Sequence, residues 1–325
     1  MTPERKYAIH KGSTVLVTGA NGFIGSHVCN ELLQLGFNVR GTLPDMEKNG
    51  AFDSLVEDVS AVIHVASPVS FSPNPESVIP SSIAVALNAL KAANKSPSVK
   101  RFVFTSSSVA AALPKPNKGG IEVTSDSWNT HSVEIAWREA PYHPQRAWHV
   151  YAASKVEAET AVWRFHYENI RRRYDLVVNT VLPDTNFGKP LDVVNQGHPS
   201  TSSFVESLWN GTHFDRLASI PPHYFVDVQD NARLHVAAAV LLNVQNERIF
   251  AWAEPFNFDI ILDISRAQCP GKKFADNFHN YEELSTAVGP QSRAAELLGQ
   301  LGRDGFVPLK KSVLLNVGDS SVFGP

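Results

Sequence analysis

The chain has 325 residues, of which 43% are hydrophobic and 19% charged, and its formal net charge is −3 at pH 7. This balance is typical of a globular enzyme, and the weak negative charge argues against nucleic acid or anionic lipid as a partner. The two cysteines, Cys29 and Cys269, are far apart and lack CxxC or Cys/His spacing, which argues against a disulfide framework and a zinc site.

The sequence also predicts a cytoplasmic protein with no membrane partner. The N-terminus has no apolar stretch of signal-peptide length, and no run reaches the ~18 apolar residues of a transmembrane helix. The histidines show no HExxH or similar ligand spacing, so no metal site is expected. No GxSxG motif indicates a hydrolase.

Strand-like and helix-like segments alternate through the first ~240 residues, which predicts βαβ units. Strands are predicted at Thr14–Thr18, Phe37–Thr42, Ala61–Ala66, Arg101–Thr105 and Leu176–Leu182. Helices are predicted at Phe23–Leu35, Ala51–Glu57, Ser81–Asn94 and about Trp148 to Ile170. Parallel strands with helical crossovers form a doubly wound α/β sheet of the Rossmann type, which binds ligands at the carboxyl ends of its strands.

Beyond Pro183 the alternation of strands and helices becomes irregular. Short helices are predicted at Ser203–Trp209, Asp230–Leu242, Phe258–Arg266 and Arg293–Leu301. We therefore expect a Rossmann domain over residues 10–183, with a return segment near 224–240, and a smaller part over 184–325 that covers the substrate.

A glycine-rich turn, TGANGFIG at Thr18–Gly25, follows the first strand and opens the first helix. Gly19, Gly22 and Gly25 permit a tight turn, close approach of the backbone to a pyrophosphate, and close packing of helix on strand. The N–H groups of the helix N-terminus are free to bind the phosphates. The turn therefore predicts a dinucleotide site and makes residues 10–183 the NAD(P)-binding domain.

Tyr151 and Lys155 are four residues apart and share one face of the predicted long helix. Tyrosine ionises near pH 10, so it needs assistance to act as an acid or base near neutrality. An ammonium ~4 Å away contributes on the order of 4 kcal/mol at an effective dielectric of roughly 20, an upper-range lowering of about three pKa units. We expect the pair to activate a carbonyl for hydride transfer and Lys155 to hold the ribose.

Tyr7 and Lys11 have the same spacing. Tyr7 precedes the first strand and is expected at the amino edge of the sheet, away from the ligand. We therefore interpret Tyr7 as an exposed N-terminal aromatic residue.

A serine cluster, Ser106–Ser108, ends the strand Arg101–Thr105. A hydroxyl at this position, beside the tyrosine, can hydrogen-bond the substrate carbonyl oxygen and stabilise its developing charge. Ser107 is the predicted residue. Trp128, Trp137 and Trp148 follow in the loop region, where core packing is favoured over a role in the pocket.

The chain resembles the extended short-chain dehydrogenases, specifically the dihydroflavonol-4-reductase-like group with its fungal aldehyde and ketone reductases. The segments that carry this resemblance are TGANGFIGSHV, HVASPV, FTSSS, YAASKVEAE, LPDTNFGKP and YFVDVQDNARLHVAA, which together span about Gly12 to about Asn277. The combination is far more specific than any one segment.

The resemblance implies a catalytic triad of Ser107, Tyr151 and Lys155. It implies cofactor contacts from Gly19, Gly22, Phe23, Ile24 and Gly25 at the pyrophosphate, Asp45 at the adenine, Ala66 and Ser67 at the border of the cofactor, and Pro183 beside the nicotinamide. Tyr151 and Lys155 are expected to contact the cofactor as well. Members of the group often have Asn where this chain has Asp184.

The chain departs from its relatives after the second strand. Relatives have about twenty more residues there, forming a helix and a third strand, whereas Pro44-Asp45-Met46 follows Thr42 almost at once. Neighbouring strand ends lie only ~5 Å apart, so the shortened chain can close. We expect the edge strand to be lost and Phe37–Thr42 to become the edge.

The missing segment normally carries the basic residue that binds the 2′-phosphate of NADPH. Arg40 and Lys48 are the remaining candidates, and no acidic residue ends the second strand to bind an unphosphorylated ribose. NADPH is therefore favoured, and NADH stays open.

The sequence thus predicts an NADP-dependent reductase that transfers hydride to a carbonyl of a small apolar, aromatic or polyketide-like substrate, in secondary metabolism. Tyr151 protonates the oxygen, Ser107 orients it, and Asn88 holds a water that relays protons to Lys155. Two alternatives stay open. One is an NAD(P)-dependent epimerase or dehydratase, although Ser107 lacks the adjacent acidic pair usual in dehydratases. The other is a catalytically defective nucleotide-binding protein.

Overall fold

A central parallel sheet organises the protein in the computed structural model, which describes residues 6–42, 46–114, 121–279 and 286–318. The strands are β1 (Thr14–Thr18), β2 (Asn38–Thr42), β3 (Ala61–His64), β4 (Arg101–Thr105), β5 (Ile121–Val123), β6 (Val177–Pro183), β7 (Thr185–Phe187), β8 (His223–Asp227), β9 (Arg248–Ala251), β10 (Glu254–Phe256) and β11 (Thr286–Val288). The large sheet has the order β2-β1-β3-β4-β6-β9. The predicted Rossmann-type α/β fold is confirmed.

Helices cover both faces of this sheet. They are α1 (Phe23–Gln34), α2 (Ile79–Lys95), α3 (Thr130–Ala136), α4 (Ala147–Glu168), α5 (Val193–Gln196), α6 (Ser202–Asn210), α7 (Phe214–Ala218), α8 (Val228–Val240), α9 (Phe258–Gln268), α10 (Gln291–Gln300) and α11 (Leu309–Val317). One apolar core joins α1, α8 and α10 to the sheet, and a second joins α2 and α4 to its other face. β3 and β4 are buried throughout because helices cover both faces of the sheet, and most of their side chains are apolar.

The edge position of β2 is confirmed. β2 pairs with β1 alone among the described residues, and none of its residues is fully buried. The helix predicted at Ala51–Glu57 was wrong, because this segment forms consecutive turns. Phe52 and Val56 are nevertheless buried in the core shared with α2 and α4, so two apolar residues at helical spacing here anchor a turn segment.

The irregular C-terminal residues form a separate apolar cluster. A small sheet of order β10-β8-β7 packs with α6, α9 and α11 through buried aromatic residues such as Phe187, Phe225 and Phe256. α8 then returns to the large sheet and packs against α1. The division at 183/184 into a cofactor-binding and a substrate-binding part stays a prediction. Within the described ranges, every helix is too short or too polar to cross a lipid bilayer.

Candidate active site

The glycine turn connects β1 to α1 at the carboxyl edge of the sheet. Gly19 has φ +67°, a conformation that favours glycine, and its N–H donates to the Thr42 carbonyl at the end of β2. A Cβ on Gly25 would lie 2.0 Å from the Gly19 carbonyl oxygen, so only glycine fits there. α1 begins at Phe23 with no side-chain cap from Gly22, which leaves its first N–H groups available to a ligand.

The loops after β1 and β3 are held side by side. Thr18 Oγ1 accepts a hydrogen bond from Ala66 N at 3.1 Å and lies 2.9 Å from His64 Nδ1. Burial lowers the pKa of His64 to about 3, so its imidazole is neutral and serves as a packed hydrogen-bonding partner. A glycine turn, uncapped helix N–H groups and an adjacent loop at the strand ends fit the pyrophosphate of a dinucleotide.

The three predicted catalytic side chains lie together at this edge. Ser107 follows β4, and its side chain is hydrogen-bonded to the Tyr151 phenol. Lys155 lies one turn after Tyr151 on α4, with Nζ 5.8 Å from the centroid of the tyrosine ring. The Lys155 ammonium donates to Ser67 Oγ at 2.8 Å, which brings the loop after β3 into the same site. A phenol, a hydroxyl and an ammonium group therefore converge.

The electrostatics of the pair differ from the sequence-based expectation. Burial raises the pKa of the Tyr151 phenol above its ordinary value, the Ser107 hydrogen bond opposes this, and the Asp184 charge adds to it. The expected lowering by Lys155 is therefore wrong for this arrangement, because burial dominates and the ammonium is directed at Ser67. Burial also lowers the pKa of Lys155 to about 8. At neutral pH the phenol carries its proton, as an acid must.

A cavity of about 610 Å³ opens beside Ser107 and Tyr151. Its walls are mainly apolar and aromatic, from Val69, Phe71, Val109, Ala147, Trp148, Phe204 and Ile220. Trp148 lies in the wall, so the attribution of this residue to core packing was wrong. The Arg248 guanidinium lies instead over Trp128, with its central carbon 3.9 Å from the centroid of the Trp128 ring. Trp137 Nε1 donates to Glu157.

Two features of this cavity escaped the sequence analysis. The Phe71 ring lies 5.0 Å from the rings of both Tyr151 and Trp148, and it comes from a loop without periodicity to indicate its direction. Asp184 and His223 also line the cavity, with Asp184 Oδ1 3.4 Å from His223 Nδ1. These two residues are distant in sequence, and only the adjacent strands β7 and β8 bring them together.

Of the other predicted cofactor residues, some lie at the carboxyl edge of the sheet and one is bound to the turn segment. Pro183 ends β6, and Ala66 and Ser67 follow β3, at the same edge of the sheet. Arg40 Nη1 donates to the carbonyl oxygens of Leu55 and Glu57, so this cation anchors the turn segment. Asp45 lies outside the described residues.

Two further predictions concern Asn88 and Tyr7. The Asn88 amide donates to the carbonyl oxygens of Met46 and Glu47, which anchors the chain just after the shortened connection. Its part in a proton relay stays a prediction. Tyr7 bridges to Leu241 and packs edge-on against Phe37, remote from the carboxyl ends of the strands. The expectation that Tyr7 is exposed was wrong, because its ring is half-buried against the apolar core.

A buried ionic network lies behind the serine cluster. Glu159 is fully buried and accepts hydrogen bonds from Ser106 Oγ and Thr180 Oγ1, each at 2.8 Å. Arg248 Nε donates to Glu159 at 2.8 Å, and the Arg248 side chain is only 8% exposed. The network ties α4 to β4, β6 and β9 and thereby supports the loop that carries Ser107.

The chain is similar in sequence to a known enzyme family and to named fungal reductases. The sequence profile described as the NAD dependent epimerase/dehydratase family matches residues 15–247. Aldehyde reductase 2 of Sporidiobolus salmonicolor is 38% identical, over 96% of this chain and 97% of its own length. Ketoreductase adrE of Penicillium roqueforti is 34% identical, over 96% and 98%.

The fold is shared with a solved reductase structure. Candida albicans Gre2, in complex with NADPH, superposes with a TM-score of 0.73. The match covers 94% of this chain and 97% of that one at 24% sequence identity.

Proposed function

The chain belongs to the NAD dependent epimerase/dehydratase family, and from this premise we propose that it is an NADPH-dependent reductase of aldehydes or ketones. The observation that carries the proposal is the convergence of Ser107, Tyr151 and Lys155 beside an apolar cavity. The names of the two fungal relatives and the NADPH bound to Gre2 support the reaction type and the cofactor.

The cofactor is proposed to lie across the carboxyl ends of β1, β3 and β6. The residues that would hold it are Gly19, Gly22, Phe23, Ile24, Gly25, Ala66, Ser67, Lys155 and Pro183. When bound there, NADPH supplies the hydride. Arg40 is proposed as a 2′-phosphate contact only through the nitrogens that Leu55 and Glu57 leave available, with Lys48 as the other cation.

The chain's own residues then control the proton. Tyr151, protonated at neutral pH because burial raises its pKa, donates to the carbonyl oxygen of the substrate. Ser107, already hydrogen-bonded to the phenol, orients that oxygen and stabilises its developing charge. The apolar and aromatic part of the cavity wall favours a small substrate with an apolar or aromatic body.

The alternative activities fit this site less well. The only carboxylate bonded to the serine cluster, within the described ranges, is Glu159, and it is buried against Arg248 and bonded to Ser106. It is therefore unable to act as the acid beside Ser107 that a dehydratase needs. The intact proton donor and cation disfavour a catalytically defective protein. A cytoplasmic location and a place in secondary metabolism belong to the proposal, the latter supported by the resemblance to a fungal ketoreductase.

The test is consumption of NADPH, followed by absorbance, with a panel of aromatic and polyketide-like aldehydes and ketones. Turnover with at least one carbonyl is expected. A protein that binds NADPH tightly but reduces none of the panel supports the catalytically defective alternative.

A further inference from the structure

Asp184 and His223 form a polar pair in the wall of the substrate cavity. Asp184 Oδ1 lies 3.4 Å from His223 Nδ1, and the two side chains are only 8% and 9% exposed. Both residues line the same cavity as Tyr151, and the Asp184 charge contributes to raising the pKa of the Tyr151 phenol. The pair therefore belongs to the space that a substrate of Tyr151 would fill.

The hydrogen-bonding capacity of the pair is only partly used. Asp184 Oδ1 accepts from Thr185 N at 2.8 Å, whereas Oδ2 has no hydrogen-bond donor in the part of the chain that the structure describes. His223 Nδ1 is buried and has no hydrogen-bond partner among these residues, since its approach to Asp184 is poorly aligned. A buried polar atom without a partner is unfavourable. A ligand that offers an acceptor to His223 Nδ1 and a donor to Asp184 Oδ2 is therefore bound preferentially.

The surroundings restrict what that ligand can be. The neighbouring cavity walls, including Phe71, Trp148 and Ile220, offer aromatic and aliphatic carbon. A carboxylate oxygen needs a donor, and the adjacent imidazole N–H needs an acceptor. A hydroxyl group is both at once. The Arg216 guanidinium, exposed at the cavity and 5.5 Å from the Phe204 ring centroid, disfavours an ammonium group as the alternative donor.

We propose that Asp184 and His223 form a subsite for a hydroxyl group of the substrate, which donates to Asp184 Oδ2 and accepts from His223 Nδ1. This inference rests on the proposed function and narrows it, since the preferred substrates are then hydroxy ketones or hydroxy aldehydes with an apolar or aromatic body. The hydroxyl acts in binding and stays chemically unchanged while the carbonyl is reduced.

The experiment compares matched ketones with the wild-type enzyme. Acetophenone is assayed against 2-hydroxyacetophenone, and propiophenone against its 2-hydroxy and 3-hydroxy derivatives. The methyl ethers of these hydroxy ketones are assayed alongside them. The measured quantity is the ratio of kcat/KM between each derivative and its parent ketone. A hydrogen bond to a charged group predicts a preference of about tenfold to a hundredfold for one hydroxy ketone. The ether, which has no proton to donate, is expected to lose it.

Asp184→Asn and His223→Phe test the residues. Both are expected to reduce the hydroxyl preference to within about threefold of unity, whatever they do to turnover of the parent ketone. Ser219→Ala is the matched control, because Ser219 lines the same cavity but donates its hydroxyl to the Arg216 carbonyl. This variant is expected to keep the wild-type ratio.

A wild-type ratio near unity for every hydroxy ketone overturns the subsite, as does a ratio that survives Asp184→Asn. An amino ketone preferred over the hydroxy ketone also overturns it, in favour of a cation site. Absence of NADPH oxidation with all ketones, the parents included, is the distinct result that counts against the proposed function. Calorimetric binding of the hydroxy ketone to the enzyme with NADP⁺ gives the same comparison without turnover.

Discussion

Lys155 Nζ donates to Ser67 Oγ at 2.8 Å, and this contact links the helix that carries Tyr151 to the loop after β3. The same ammonium is nearly buried, with its pKa lowered to about 8. One residue therefore couples the proposed acid to the proposed cofactor site, in a protonation state that changes just above neutral pH.

Replacement of Lys155 by Ala is expected to weaken NADPH binding about tenfold or more and to lower turnover, because the ammonium bond to the cofactor site is lost. In the wild type the affinity for NADPH is expected to fall as pH rises through about 8, where Lys155 loses its proton. Fluorescence titration with NADPH on either side of this pH measures both effects. Unchanged affinity in the variant would contradict the dual role.

The stability contribution of Lys155 has the opposite pH dependence. An unfolded lysine titrates near pH 10.4, so between about 8 and about 10 the unfolded chain binds more protons than the folded one. The contribution of Lys155 to the free energy of unfolding therefore increases with pH in this window while cofactor affinity decreases. Loss of affinity with unchanged or rising stability separates proton loss from unfolding.

Gly25→Ala is expected to abolish measurable NADPH binding. The added Cβ would lie 2.0 Å from the Gly19 carbonyl oxygen, which is backbone, so the turn must move. Gly299→Ala is the control, since a Cβ on Gly299 meets nothing within 4 Å. Equal NADPH affinity in Gly25→Ala and wild type, measured by fluorescence, would argue against a cofactor at this turn.

Arg248→Ala is expected to lower the free energy of unfolding by about 3–5 kcal/mol, because it leaves the fully buried Glu159 carboxylate without its cation. Lys95→Ala removes an exposed pair with Asp53 and is expected to cost less than about 1 kcal/mol. Urea denaturation of the two variants gives the comparison. Similar losses would mean that the Glu159 network contributes no more than a surface ion pair.

NADPH is expected to be preferred over NADH by only about tenfold, the preference that a single partly exposed contact to the 2′-phosphate from either Arg40 or Lys48 would give. Arg40 already donates to the carbonyl oxygens of Leu55 and Glu57, which limits the hydrogen bonds it can give to the 2′-phosphate. The measurement is the ratio of kcat/KM for the two cofactors in wild type and Arg40→Ala. An unchanged ratio in the variant would assign the 2′-phosphate contact to Lys48 or to another residue. A strong preference for NADH would contradict the prediction.

The sequence predicted the parts of this site that depend on local order. The glycine turn and the Tyr151–Lys155 spacing are fixed by neighbours in the chain, so their placement on a strand–helix junction and one helix face could be derived directly. The edge position of β2 followed from the family resemblance, because the shortened connection has no room for the helix and third strand that relatives carry there. Each of these inferences uses contacts within one or two elements.

The features that were missed depend on tertiary packing. Asp184 meets His223 where β7 and β8 pair, and Glu159 of α4 meets Arg248 of β9. Both contacts form only after elements distant in sequence become neighbours. Phe52 and Val56 have the spacing of a helix face but are buried in turns, because core packing stabilises them without a helix. Burial also reversed the expected pKa shift of Tyr151, since desolvation is set by the whole fold.

Tyr151 is the proposed proton donor of a carbonyl reductase. The most direct test is NADPH oxidation with a reducible aldehyde or ketone by wild type, Tyr151→Phe and Tyr7→Phe, with NADPH affinity measured in parallel. Turnover is expected to fall by about 10²–10⁴-fold in Tyr151→Phe, with cofactor affinity retained, and to stay at the wild-type value in Tyr7→Phe. Full turnover in Tyr151→Phe, or an equal loss in Tyr7→Phe, would contradict the account.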